Sequence, residues 1–345
     1  MKQGSQHPVA PISSFTEFLL SRPFLPHRVI PHPHLQTVVA ALARRNFSWG
    51  APNTQTVIIE LPEQSRVRTE CYFGEPGAPT LLAIHGVGGS SQSPYMQGFL
   101  HKACLEGWNA VLLNLYDLNL AGRRPHIFHS GSSRELDGVI HGVLNLDQCG
   151  ALILVAVSMG GNMLLKLLGE WGEAAPDGVR AAAVVSPLVD LVASWNTLDR
   201  FTNRHYRWHF VQGLKDVIRR NEGDLGQHID VKGIRKIKTI REFDEIFTSV
   251  LGGFQDAFDY YRRASAAPWL GRIQVPTLVL HSKRDPILPW RPLMTPGLLK
   301  NPNVLLWLPQ EGGHVGFIEQ DRKDIDRHWA ENRIIDFARW RFGQE

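Results

Sequence analysis

The sequence predicts an α/β protein: a mostly parallel central sheet flanked by helices, with a helical cap inserted ahead of the last strands. Three observations carry this. From Pro79 onward the strand-like runs are apolar throughout rather than alternating, as expected for strands covered on both faces of a parallel sheet. Helix-like segments alternate with these runs. One run, 151–157, passes without a loop into Ser158-Met159-Gly160-Gly161 and then into an apolar helix-like stretch.

The elements follow in order. Residues 1–22 are polar and Pro-containing and read as a tail or loosely packed arm, ahead of one domain over 23–345. Segments 56–61 and 68–73 alternate and form a leading antiparallel pair, with Glu63-Gln64-Ser65 as the turn. The buried strands are 81–84, 110–113, 151–157, 181–185, 277–280 and 304–308. Helices are expected at about 93–106, 133–148, 160–171, 257–266 and 324–341. No internal repeat or low-complexity tract occurs. The strand pattern breaks for about eighty mostly helical residues, too many for a plain connection. Residues 188–266 are therefore read as a cap over the active site.

A serine on a sharp strand-to-helix turn has the geometry of a nucleophile elbow, Gly-x-Ser-x-Gly. Here Ala156 stands at the first glycine and Gly160 keeps the second. The pentapeptide alone fits a Gly-rich turn with an incidental serine equally well. The rest of the chain decides. Asp285 follows the strand-like run ending in Leu280, and His314 ends a Gly-rich loop after the run ending in Leu308. Side chains just past the carboxyl ends of parallel strands converge on one crevice. A serine hydroxyl is a poor nucleophile, so His314 is expected to take its proton and Asp285 to orient the imidazole. Asp190 also follows a strand, but Ser186-Pro187 before it suits a helix cap, so Asp285 is preferred as the acid. The loop His85-Gly86-Val87-Gly88-Gly89 would offer the backbone N–H of Val87 to an oxyanion, with Met159 supplying the second. It matches neither a phosphate-binding Gly-Lys-Ser/Thr loop nor a dinucleotide fingerprint.

Several separate motifs now point to a family. They are His34-Leu35-Gln36-Thr37, His85-Gly86 with Gly89-Ser90-Ser91 and Ser93-Pro94-Tyr95, His129-Ser130-Gly131, Ser158-Met159-Gly160-Gly161-Asn162, Arg241-Glu242-Phe243-Asp244 and Tyr260-Tyr261-Arg262-Arg263-Ala264-Ser265. In this order, from about residue 23 to 339, the chain resembles the YheT-like α/β-hydrolases, AB hydrolase family four. The resemblance implies the α/β-hydrolase fold and a Ser-Asp-His carboxylic-ester hydrolase, with some relatives acting on phospholipids or as acyltransferases. Two departures stand out: Ala156 for glycine, and Tyr116-Asp117-Leu118-Asn119 where many members carry an Arg-Gly-Cys type of loop.

Composition narrows the setting. The 345 residues are 43% hydrophobic, enough for a large core. Three widely spaced cysteines, Cys71, Cys104 and Cys149, form no disulfide framework and suit a reducing compartment. No secretory signal and no apolar stretch near membrane-spanning length is evident. A cytoplasmic protein is expected. From Arg200 to Arg241 there are eleven Lys/Arg and four Asp/Glu, so this segment is +7 while the whole chain is +4. Peripheral contact with anionic membrane surfaces or acidic substrates is one reading; a solvated cap face is the preferred one. Nucleic-acid binding is not expected. His32-Pro33-His34 is too sparse for a metal site. His126 and His129 could line the site or brace a loop. His205 and His209, four apart, read as ordinary packing, and Trp195 or Trp290 could line an acyl pocket.

The expectation is a serine esterase acting on short- to medium-chain or lipid-like esters, with no metal or organic cofactor. An acyltransferase using the same acyl-enzyme is the alternative. A non-catalytic member of the fold is the further one, and such members usually lose a triad residue.

Overall fold

A computed structural model describes residues 11–43, 45, 47, 53–61, 65–116, 128–225, 231–321 and 324–343. Its centre is an eight-stranded sheet: β1 Gln55–Glu60, β2 Arg66–Tyr72, β3 Thr80–Ile84, β4 Asn109–Asn114, β5 Leu152–Val157, β6 Val179–Val185, β7 Thr277–Leu280 and β8 Val304–Trp307. The spatial order is β1-β2-β4-β3-β5-β6-β7-β8. The β1–β2 and β2–β4 pairs are antiparallel and all others parallel. The chemistry of the runs explains this split. β2 alternates buried with partly covered positions, while β3 and β5 are buried at every residue. Part of the expected turn, residues 63 and 64, lies outside the described residues.

Alternate residues of each strand feed two cores. Leu82, Ile84, Val111, Leu113, Leu154 and Ala156 face one side, against α4 (Ser133–Leu144), α5 (Met159–Trp171) and the insertion between β6 and β7. Leu81, Ala83, Ala110, Leu112, Ile153 and Val155 face the other, against α3 (Pro94–Leu105) and the C-terminal helix Trp329–Phe342. That last helix begins five residues after the expected start. Asp326 instead accepts the backbone N–H of His328 at 2.8 Å and forms part of an ion cluster.

In that cluster Lys102 of α3 is fully buried and donates to Glu331 at 2.8 Å and to Asp326 at 2.7 Å. Arg45 reaches the same two carboxylates at 2.7 and 2.5 Å. Burial opposes the charge of both acids. The cations outweigh it and hold both carboxyls below their usual range.

The reading of residues 1–22 as a loose arm needs correcting where they are described. A 3-10 turn, Ile12–Ser14, leads into α1, Phe15–Ser21. Ile12, Phe15 and Leu19 are buried, and the Phe15 ring packs edge-on against Phe337 at 5.3 Å and tilted against Trp340 at 5.5 Å. A short apolar set at helical spacing among polar residues hid this docking.

Between β6 and β7 the chain leaves the sheet for α6 (Leu191–Leu198), α7 (Arg204–Arg220), the turn Val231–Lys236, a helical stretch that includes Ile240–Phe243, and the helix Ala257–Ala264. At α7 the Cβ position of Gly213 would lie 3.7 Å from the Cα of Gly88 in the loop after β3. There α7 and that loop meet backbone to backbone.

Candidate active site

β5 ends at Val157 and α5 begins at Met159, so Ser158 alone makes the turn. Its φ of 55° and ψ of −116° are strained for a residue with a side chain. A hydrogen bond from its N–H to the Val185 carbonyl, 3.0 Å, holds it there. Close packing makes the next glycine necessary: a Cβ on Gly160 would lie 2.6 Å from the His85 carbonyl oxygen. Ala156 is accommodated in the fully buried strand between Ile84 of β3 and Val184 of β6.

Three side chains from three strand ends meet here. Nε2 of His314 lies 3.0 Å from Ser158 Oγ, and its Nδ1 lies 2.8 Å from Asp285 Oδ2. The other carboxylate oxygen of Asp285 accepts the N–H groups of Ile287 at 2.8 Å and Leu288 at 2.9 Å. Burial works against the charge on Asp285. His314 and these bonds outweigh it and leave the carboxyl below its ordinary range. With Oδ1 occupied by two donors, Oδ2 is left for His314, so Nδ1 carries the proton and Nε2 faces the serine as acceptor. Asp190 stands apart: it caps α6 by accepting the Ala193 N–H at 2.9 Å.

Val87 and Met159 flank the serine. Met159 is the first residue of α5, whose unpaired N–H groups give that end positive character. The loop of Val87 runs against the serine, since a Cβ on Gly86 would lie 3.0 Å from Ser158 Cβ. Among the described residues neither the Val87 nor the Met159 N–H donates to a protein acceptor. His85 is a brace for this loop. It is fully buried, its Nδ1 lies 2.8 Å from the Gly86 carbonyl, and its Nε2 accepts the Leu115 N–H at 3.0 Å. Burial pushes it down to about 4, so it stays neutral. Tyr95 Oη accepts the Gly86 N–H at 3.1 Å.

Several residues of the site escape sequence reasoning. Thr37, on α2 (Pro33–Leu42), accepts the His314 N–H at 2.8 Å and donates to the Pro33 carbonyl at 2.8 Å. Gln36 accepts the Ile318 N–H at 2.6 Å and donates to the carbonyls of Ile318 and Ile30 at 2.9 and 2.8 Å. Thus Gln36-Thr37 of the early motif grips both ends of the histidine loop. The motif was visible, but its partner lies 277 residues away. Ser186, at positive φ, accepts the N–H of Val315, also at positive φ, at 3.1 Å. Ser282 Oγ donates to the Gly312 carbonyl at 3.0 Å, tying the acid loop to the histidine loop. His281 is fully buried 3.7 Å from Asp285, and burial lowers its pKa.

The other candidates have local roles. His32 Nδ1 accepts the His34 N–H at 3.4 Å, and His34 Nδ1 meets Tyr206 Oη of α7 at 2.9 Å. His129 accepts the Gly131 N–H at 3.0 Å and packs edge-on against Tyr260 and Phe254. His126 lies outside the described residues, as do residues 117–119 of the divergent loop. His205 and His209 are exposed on α7 rather than packed inside. Trp195 packs on Tyr261, and Trp290 lies beneath Lys283 and Arg291. Among the described residues no group of three or more His, Cys, Asp or Glu stands ready for a metal, and no helix is long and apolar enough to cross a membrane.

Comparison with known proteins agrees with this architecture. A family model described as the alpha/beta hydrolase fold matches residues 79–321. The Escherichia coli (strain K12) protein YheT, provisionally named an esterase, is 33% identical over 331 residues, covering 93% of this chain and 94% of its own. Human phospholipase ABHD3 is 32% identical over 253 residues, which is 72% of this chain but only 61% of that longer protein. Among solved structures, the esterase Pf2001 of Pyrococcus furiosus superposes with a TM-score of 0.56 over 86% of this chain and 98% of its own. At 14% identity that likeness speaks for the fold alone. With the sheet order, the strand-end site and these relatives in hand, the chain belongs to the α/β-hydrolase fold family, among the relatives of YheT.

Proposed function

We propose that this protein is a serine hydrolase of carboxylic esters, with Ser158 as nucleophile, His314 as general base and acid, and Asp285 as the residue that orients His314. The observation that carries the reading is the unbroken hydrogen-bond line from Ser158 Oγ through His314 to Asp285. Ser158 Oγ attacks the ester carbonyl carbon while its proton passes to His314 Nε2. Positive charge on the imidazole is balanced by the buried Asp285 carboxylate. The carbonyl oxygen becomes an oxyanion and receives the N–H groups of Val87 and Met159; one such donor is typically worth about 10²–10³ in rate. Collapse expels the alcohol, which takes the proton back from Nε2. A water activated by the same nitrogen then releases the acid and restores Ser158.

The insertion between β6 and β7 acts as the cap. Short- to medium-chain or lipid-like esters are the proposed substrates, a class supported by the esterase and phospholipase names of the relatives. The free thiols Cys71, Cys104 and Cys149 suit a cytoplasmic setting. The test is fluorophosphonate labelling with an ester panel. The wild type should label and hydrolyse p-nitrophenyl esters, and Ser158→Ala should do neither while keeping its melting temperature. Labelling retained in that variant overturns the assignment. Adding competing alcohols to the panel separates hydrolysis from acyl transfer to an alcohol.

A further inference from the structure

The cap carries a cationic groove that the proposed reaction does not use. It has a volume of about 470 Å³ and runs between α7 and the segment 235–238. Its walls include Arg204, Arg207, Lys215, Arg235 and Lys238, with Trp208 at the edge. Among the described residues no carboxylate lines it.

The local sequence explains the arrangement. In the run from Ile234 to Ile240, the isoleucines at 234, 237 and 240 are buried, and Arg235, Lys236 and Lys238 are exposed. The β-branched residues anchor the segment and turn its cations outward together. Neighbouring acids lie at the margins of the groove and are already engaged there. Asp216 pairs with Arg219 at 2.7 Å, and Glu242 accepts the Lys238 and Thr239 N–H groups at 2.6 and 3.2 Å. Asp199 lies 3.6 Å from Arg207 alone. Lys215 is only 5% exposed, and its ammonium donates to the Arg235 carbonyl at 3.3 Å, while Glu242 is the acid whose charge reaches it. A cluster of this kind repels itself, and an anion relieves the repulsion.

The rim indicates the form in which the anion arrives. Trp208 is 64% exposed and Phe201 78% exposed, with the Arg204 guanidinium 4.4 Å above the Phe201 ring. Exposed aromatics interleaved with Arg and Lys are suited to the boundary between lipid headgroups and acyl chains. A small soluble phosphate needs the cations but gives these rings nothing to cover them. We infer that this face of the cap docks on an anionic phospholipid surface, with lipid phosphates in the groove and Phe201 and Trp208 in the interface. The same helix carries Tyr206, which meets His34 on α2, the helix whose Thr37 holds His314. Docking thus brings the lipid surface to the helix that borders the candidate active site. The inference does not depend on Ser158 being the nucleophile.

Vesicle sedimentation tests it without an activity readout. The full chain should sediment with vesicles of phosphatidylcholine and phosphatidylglycerol, much less with phosphatidylcholine alone, and progressively less as salt rises. Combined Arg204→Gln, Arg235→Gln and Lys238→Gln should weaken binding roughly a hundred-fold at unchanged melting temperature. Trp208→Ala alone should weaken it too and serves if the triple variant fails to fold. Equal binding to both vesicle types, or no effect of either variant, overturns the inference. Saturable binding of inorganic phosphate without vesicle binding also overturns it and assigns the groove to a soluble phosphate ligand.

Discussion

The Thr37 hydroxyl accepts the backbone N–H of His314 at 2.8 Å, so a residue on the second helix sets where the proposed general base stands. The contact is buried, and Gly313 allows it, since a Cβ there would lie 2.4 Å from Thr37 Oγ1. Thr37→Val should leave the His314 N–H without a partner, at a cost of about 1–3 kcal/mol in the position of the loop. We expect kcat on a soluble ester to fall by one to two orders of magnitude, and Thr37→Ser to restore most of it. A structural role alone would lower the melting temperature and leave kcat per labelled Ser158 unchanged. Active-site titration with a fluorophosphonate separates the two.

Two aspartates follow strands on the same edge of the sheet, and they should behave differently. Asp285→Asn removes the acceptor that fixes the His314 tautomer and should lower kcat by about 10⁴. Asp190→Asn keeps a side-chain oxygen able to cap α6 and should change kcat little. Steady-state kinetics of the two variants checks the ranking, and the reverse order would move the acid to the end of β6.

Asp244 is buried in the insertion between β6 and β7, where it accepts hydrogen bonds from Thr248 at 2.7 Å and Tyr261 at 2.9 Å. Burial pushes its carboxyl up to about 7, against the two hydrogen bonds. The unfolded group titrates near pH 4. Between these values the folded chain binds more protons than the unfolded one, so stability contributed by the neutral carboxyl is complete below about pH 4 and is lost as pH rises toward 7. Asp244→Asn should flatten this part of the stability profile, measured by urea unfolding at several pH values.

The cluster of Lys102, Arg45, Asp326 and Glu331 has the opposite sign. Both carboxyls lie below their usual range in the folded chain, so their contribution is present above the unfolded values, about 4, and is lost as pH falls through the folded ones. Lys102→Met leaves two acids short of a cation and should cost about 3–5 kcal/mol at neutral pH. It should also shrink the loss of stability on acidification. Chemical denaturation at pH 7 and below pH 4 reads both effects.

Residue type and order alone determined the sheet and the three side chains that meet at its edge. An apolar run longer than its neighbours' alternation marks a parallel strand, and a parallel strand delivers whatever follows it to one edge, so Ser158, Asp285 and His314 were legible as a set. Ala156 two residues before Ser158 and the net charge of residues 200–241 were equally open to reading. What the sequence could not supply were contacts between parts of the chain far apart in order. The docking of Ile12, Phe15 and Leu19, the grip of Gln36 and Thr37 on the histidine loop, and Ser186 beneath Val315 each join segments more than a hundred residues apart. Nor could charge counting distinguish a solvated face from a groove that gathers its cations. That difference depends on which way Arg235 and Lys238 point once Ile234, Ile237 and Ile240 are buried, and only packing against α7 and the rest of the insertion between β6 and β7 decides it.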